Sequence, residues 1–194
     1  MAPSKSESDA GSTALTSTYT HSPINGNASN HVKKLLDDQV HIPSRKPEIP
    51  LFASSIMDKM VLTEVSISPN AEEPSRVEAK CVMEIVVFED MMNLANTVHG
   101  GAIAYFIDFC SSLALVALDV TQHGDYSLSV SQAINVVFHS PAALGEKIRI
   151  INKSVTSGGR SATGRTEIWN LNHRRLVASG VHIKMLPSKA KTKL

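Results

Sequence analysis

Apolar positions recur along this chain with two periods, one helical and one alternating. Between His99 and Asp119 the run HGGAIAYFIDFCSSLALVALD carries a single internal charge, Asp108. On a helical wheel Ile103, Phe106, Ile107, Cys110, Leu113, Ala114 and Ala117 fall on one face, which predicts a core stripe. Asp108 falls on the opposite side, among Ala104, Ser111, Ser112 and Leu115. An uncompensated buried carboxylate costs several kcal/mol, so Asp108 must be paired, protonated or functional. The run is long enough to span a membrane, but its central Asp and the missing basic flanks argue against that.

Alternation takes over on both sides of this helix. Val61 to Ile67 and Val77 to Phe88 read as strands divided by the turn-rich SPNAEEPS. After the helix come Leu128 to Phe138, Lys147 to Val155, Ser161 to Trp169 and Leu176 to Met185, with turns at SGG and NLNHRR. In the first of these, Leu128, Val130, Ile134, Val136 and Phe138 take one face. Ser129, Ser131, Ala133 and Asn135 take the other, a small polar face open to ligand or to solvent. About six antiparallel strands around one long helix make an α+β domain whose sheet wraps the helix.

The remainder of the chain is less regular. Residues 1–30 are rich in Ser, Thr, Ala, Gly and Asn and are expected to be disordered. Residues 31–59 form a helical or irregular extension: HVKKLLDDQV suits a short helix, and Pro43, Pro47 and Pro50 then break regularity. The folded domain is expected over 60–186, with a basic tail over 187–194. A length of 194 residues suits one domain plus a tail. A net charge of +1 gives no electrostatic footprint for nucleic acid. Cys81 and Cys110 lie in apolar stretches and read as free thiols. No secretory apolar segment follows Met1, so the acceptor-type triplets at Asn27 and Asn152 are expected to go unused.

Two groups in the long helix carry chemistry. The first amides of a helix are unsatisfied donors at its positive end, so the Gly100 N–H suits a carbonyl oxygen or oxyanion, with Gly101 beside it. Asp108 suits a general base or a nucleophile. Eight residues of helix separate them by about 12 Å, too far for one substrate atom. If both are catalytic, the site is built between subunits, at least a dimer.

The motif N-x5-HGG-x7-D, here Asn93, His99, Gly100, Gly101 and Asp108, resembles that of hotdog-fold acyl-CoA thioesterases. The branch is that of phenylacetate degradation and the mammalian thioesterase superfamily. SVSQAINVVFHSPAALGEKI resembles the same branch at Ser131, Asn135 and the SPA-x-LGE turn, and the likeness runs from about Met60 to Leu186. The resemblance implies a hotdog fold and hydrolysis of acyl-CoA to free acid and coenzyme A. It implies that Gly100 polarises the thioester carbonyl, Asp108 of the facing subunit activates water or attacks, Ser131 orients that water or carboxylate, and Asn93 places the thioester. His99 then shapes the helix start. A dimer with shared sites, or a tetramer of two dimers, is the implied assembly.

Other signals lead elsewhere. GRSATGRT approximates a phosphate-binding loop with Arg for Lys, but a β pattern follows it where the true loop opens a helix. The turn Gly158, Gly159, Arg160 can meet the phosphates of coenzyme A or simply close a hairpin. No G-x-S-x-G elbow and no HxH or HExxH spacing occurs, so neither a serine triad nor a metal is expected, and no cofactor. Dehydration of a hydroxyacyl thioester by His99 and Asp108, and non-catalytic acyl-CoA binding, are the competing readings. A cytoplasmic location is expected; Thr192-Lys193-Leu194 is one residue away from a peroxisomal address.

Overall fold

A computed structural model describes residues 23–46, 48, 51–158 and 160–186. Gly159, most of the N-terminal stretch and the C-terminal tail with its Thr-Lys-Leu end lie outside the described residues. Helices α1 (Asn30–Val40), α2 (Ile42–Arg45) and α3 (Ser54–Lys59) precede β1 (Val61–Pro69) and β2 (Val77–Val86). The long helix α4 (Gly100–His123) follows, then β3 (Val130–Phe138), β4 (Lys147–Ser157), β5 (Ser161–Asn170) and β6 (Arg175–Met185). The strands form one antiparallel sheet in the order β1-β2-β4-β5-β6-β3, with α4 packed on its inner face. This is the hotdog arrangement.

All seven residues assigned to the α4 core stripe are buried. Large side chains such as Ile103, Phe106, Ile107 and Leu113 contribute about 1.5–3 kcal/mol each when fully buried. By length and composition α4 could cross a membrane, yet 56% of its most apolar window is buried inside the protein. Small residues on the sheet let it come close. A Cβ added to Gly180 would stand 2.7 Å from Ile107 Cδ1 and 2.8 Å from the Asn135 carbonyl oxygen. One added to Gly164 would stand 3.1 Å from Ser111 Cβ.

Two differences from the sequence reading matter for function. Residues 23–29 were expected within the disordered tail, but they are held along β1: Asn25 pairs with Thr63 and Val65, and Ser29 caps α1 through the Val32 N–H. The apolar residues Val32, Leu36 and Val40 of α1 join the common core. The second difference lies in β3. Strict alternation puts Ser131 on the face opposite Ile134, Val136 and Phe138. A bulge at Gln132 instead lets Ser131 stand opposite Lys184 while Ile134 stands opposite His182 and Val136 opposite Gly180, all on the helix-facing side. Asn135, opposite Val181, is thereby turned to the other side. Leu128, expected in this strand, lies before it and is exposed.

β3 pairs with β6 along one edge only. Val136 packs against the core, but the rest of the apolar face is left open, with Val130 51% exposed, Ile134 38% and Phe138 60%, and Val137 on the other face is 49% exposed. The strand lies at the margin of the sheet, where α4 covers it only in part.

Candidate active site

The start of α4 is built by a loop that closes on itself. The Asn93 side chain accepts from the Ala95 and Thr97 amides and donates to Thr97 Oγ1, while Asn96 takes a left-handed φ of 56°. The Val98 amide bonds to the Ala142 carbonyl and the His99 amide to that of Met91, which fixes the approach to the helix. His99 is the N-cap, and its Nδ1 accepts the Gly101 N–H at 2.8 Å. Gly101 therefore has no free amide for a ligand, whereas the Gly100 N–H has no partner among the described residues. Gly100, Asn93 and Phe138 border one open depression, with Phe138 Cζ 3.4 Å from where a Gly100 Cβ would stand. The positive end of the α4 dipole reaches solvent here.

Two turns further along α4, the lone carboxylate is not alone. Asp108 Oδ1 accepts the Ser131 hydroxyl at 2.8 Å. Its neighbour in space is a residue that sequence reasoning missed. His182 on β6 is wholly buried, with Nε2 2.9 Å from Ser131 Oγ and 3.3 Å from Asp108 Oδ1, and Nδ1 2.7 Å from Ser111 Oγ. One proton arrangement satisfies all of these. Ser111 donates to Nδ1, Nε2–H donates to Ser131, and Ser131 donates to Asp108. Burial, with the nearby Lys184 charge, pushes the imidazole below its ordinary range, while Asp108 opposes this. A neutral His182 fits the arrangement. Asp108 Oδ2 has no hydrogen-bond partner among the described residues.

The signal for His182 was present in the sequence. Ala178, Gly180, His182 and Lys184 alternate along β6 and share the face that meets α4. A buried histidine between a close-approach glycine and a buried lysine marks a polar spot under the helix. Lys184 donates to Ser112 Oγ at 3.0 Å, and Ser112 donates to the Asp108 carbonyl at 2.7 Å.

The remaining predicted residues lie apart from this cluster. Asn135 faces away from it. Gly158 and Arg160 sit at the β4–β5 turn, where the Gly158 amide bonds to the Ser161 carbonyl, and border a cavity that also holds Asp119 and Asp125. Lys184 and His123 line the same cavity, so the turn stands among groups of both signs. Cys81 and Cys110 are free and buried. No group of three or more His, Cys, Asp or Glu residues could hold a metal among the described residues.

One helix thus carries an unpartnered amide donor at Gly100 and a hydrogen-bonded carboxylate at Asp108. The sequence profile of the thioesterase superfamily matches residues 95–177, which span both. Acyl-coenzyme A thioesterase 13 of Mus musculus is 32% identical over 126 residues, 65% of this chain and 82% of that protein. The Homo sapiens protein of the same name is 33% identical over 112 residues, 58% and 76% of the two chains. The crystal structure of thioesterase superfamily member 2 from Mus musculus matches with a TM-score of 0.61 at 25% identity, covering 82% of this chain and 99% of that one.

Proposed function

This chain belongs to the thioesterase superfamily of thioester hydrolases, and on that premise we propose that it hydrolyses acyl-CoA to a carboxylic acid and free coenzyme A at sites shared between two copies. The observation that carries the reading is the Asp108 carboxylate, with Oδ1 engaged by Ser131 and His182 and Oδ2 open. Oδ2 draws a proton from water as the water oxygen attacks the thioester carbon. The carbonyl oxygen, gaining negative charge, takes the Gly100 N–H at the dipole-positive helix end. The carbon–sulfur bond then breaks, and the thiolate recovers the proton from Asp108. The His99 Nδ1 cap on the Gly101 N–H supports a structural part for this residue over that of a hydratase base.

The shared site follows from β3. It is an edge strand with exposed apolar side chains, a ready surface for a second copy. Pairing two such strands antiparallel about a two-fold near Ile134 sets Val130 of one chain against Phe138 of the other. Phe138 marks Gly100, and Ser131 marks Asp108. The pairing therefore brings the Gly100 amide toward the partner's Asp108, closing a gap of about 12 Å that one helix cannot close.

Thiol release from acetyl-, octanoyl-, dodecanoyl- and phenylacetyl-CoA tests the proposal. Turnover is expected with at least one of them, and Asp108→Asn is expected to lower kcat by roughly 10²–10⁴-fold. A folded protein that releases no thiol from any of them, or that hydrates crotonyl-CoA without thiol release, overturns it. A single turnover in ¹⁸O water should leave Asp108 unlabelled; label in its carboxylate would replace water activation by direct attack.

A further inference from the structure

The turn before β4 ends on a carboxylate, Glu146, that takes no part in the proposed reaction. Its side chain is only 16% exposed, and three donors meet it. Oε2 accepts the Ala143 N–H at 2.7 Å and the Asn170 side-chain amide at 2.6 Å, and Oε1 lies 2.6 Å from His173 Nε2. Burial by itself would push this carboxyl up, yet these bonds hold it below the ordinary carboxylate range. An ionised carboxylate accepts through both oxygens, so all three contacts are satisfied at once. The donors come from two separate stretches of chain, the turn before β4 and the end of β5 with the turn that follows it. Asn170 is itself fixed, because its side-chain oxygen accepts the amides of Asn172 and His173.

What the turn before β4 holds in place is the approach to α4. Ala142 is buried, and its carbonyl oxygen accepts the Val98 N–H at 2.9 Å. Ala143 forms an antiparallel bridge with Thr97. Thr97 and Val98 lead directly into His99, the N-cap, so this contact ends two residues short of the Gly100 amide. Main-chain bonds anchor the turn at Ser140, on Val177, and at Gly145, on Val87. Between those anchors the Ala143 N–H is met by the Glu146 carboxylate. Without it, Ala142 and Ala143 lose their tie to Asn170 and His173, and Thr97 and Val98 lose a fixed support.

We propose that Glu146 is a positioning residue for the Gly100 amide: through Ala143 and the Thr97–Val98 contact it sets where the N–H at the head of α4 stands. The inference rests on the hydrolase reading for the reaction and adds a residue that governs it from outside the site. An oxyanion donor works at about 2.7–3.1 Å from the oxygen it stabilises, and a misplacement near 1 Å can cost about 10²-fold in rate. The loss belongs to the transition state, so it falls on kcat more than on KM.

Three substitutions separate reach from charge. Glu146→Gln keeps an oxygen for Ala143 and Asn170 but loses the charge. Glu146→Asp keeps the charge on a shorter side chain, and Glu146→Ala loses both. On whichever acyl-CoA the wild type turns over fastest, kcat should fall roughly 10- to 100-fold in Glu146→Ala and about fivefold or more in Glu146→Asp. Glu146→Gln should stay within about threefold of wild type, with KM changed less than about threefold in all three. Rates are taken per folded molecule, with folding followed by circular dichroism, and the order of Gln and Asp decides even where Glu146→Ala does not fold. Wild-type kcat in folded Glu146→Ala, or Glu146→Asp faster than Glu146→Gln, overturns the inference.

A second readout needs no turnover. In protein labelled with ¹⁵N-glycine, the Gly100 amide signal should move in Glu146→Asp and stay at its wild-type position in Glu146→Gln. The Gly180 signal, from beneath Ile107 of α4, should hold its place in both. An unmoved Gly100 signal in Glu146→Asp overturns the positioning role even where kcat falls. A Gly100 signal that follows the expected order in a chain that releases no thiol overturns the hydrolase reading and keeps the positioning role.

Discussion

His182 has no access to solvent, and its two ring nitrogens meet Ser111 on one side and Ser131 with Asp108 on the other. Removing the ring takes from the buried Ser111 hydroxyl its partner at 2.7 Å, and a buried hydroxyl left unsatisfied costs about 1–3 kcal/mol. Burial also couples this residue to pH. Its folded value is depressed below the ordinary value of about 6.5. Below that value the unfolded chain binds a proton that the folded chain resists, so stability falls as pH drops from about 6.5 toward the depressed value, and is fully present above it. Urea unfolding at pH 7.5 and pH 5.5 should show the wild type losing stability at the lower pH. His182→Gln should be less stable at pH 7.5 and lose less between the two. Equal losses in the two proteins would mean that His182 is not the titrating group.

At the scale of elements, the site depends on how closely α4 lies on β5 and β6. Gly180 and Gly164 leave no room for a methyl group without moving Ile107 or Ser111. Overpacking of this kind costs about 1–3 kcal/mol. Gly180→Ala should destabilise more than Gly164→Ala, because its Cβ would meet backbone as well as side chain at under 3 Å. Denaturant midpoints would rank the two, and the reverse order would show that α4 yields more readily over Ile107 than over Ser111. The bulge at Gln132 acts at the same scale. It turns Ser131 toward Asp108 without turning Ile134 away from the helix, so one strand serves both the packing and the carboxylate.

At the scale of the whole molecule, the proposed shared site makes activity a property of an assembly. A Gly100→Pro chain keeps a residue suited to the first position of a helix but loses the N–H. An Asp108→Asn chain keeps the N–H but loses the base. Each should be inactive alone. Refolded together in equal amounts, random pairing should restore about a quarter of wild-type activity, one intact site in each mixed dimer. Absence of recovery from dimers shown to be mixed, or an active monomer in light scattering, would contradict the shared site.

Much of this protein could be read from residue order alone. The 3.6-residue repeat from Ile103 to Ala117 specified α4 and its buried face, because a helix displays its core stripe at a fixed spacing. Alternation located six strands to within a few residues at most ends, and the lone charge in an apolar helix singled out Asp108. The tertiary structure decided the rest. His182 became a partner of Ser131 only when β6 and β3 paired and slid under α4. The bulge at Gln132 is a backbone event that side-chain alternation does not encode. Which strand lies at the edge of the sheet, and so leaves Phe138 and Val137 uncovered, depends on strand order. Glu146 meets Asn170 and His173 only because the turn before β4 lies beside the turn between β5 and β6. Periodicity is local, set by the geometry of one element; sites are made where elements distant in sequence meet.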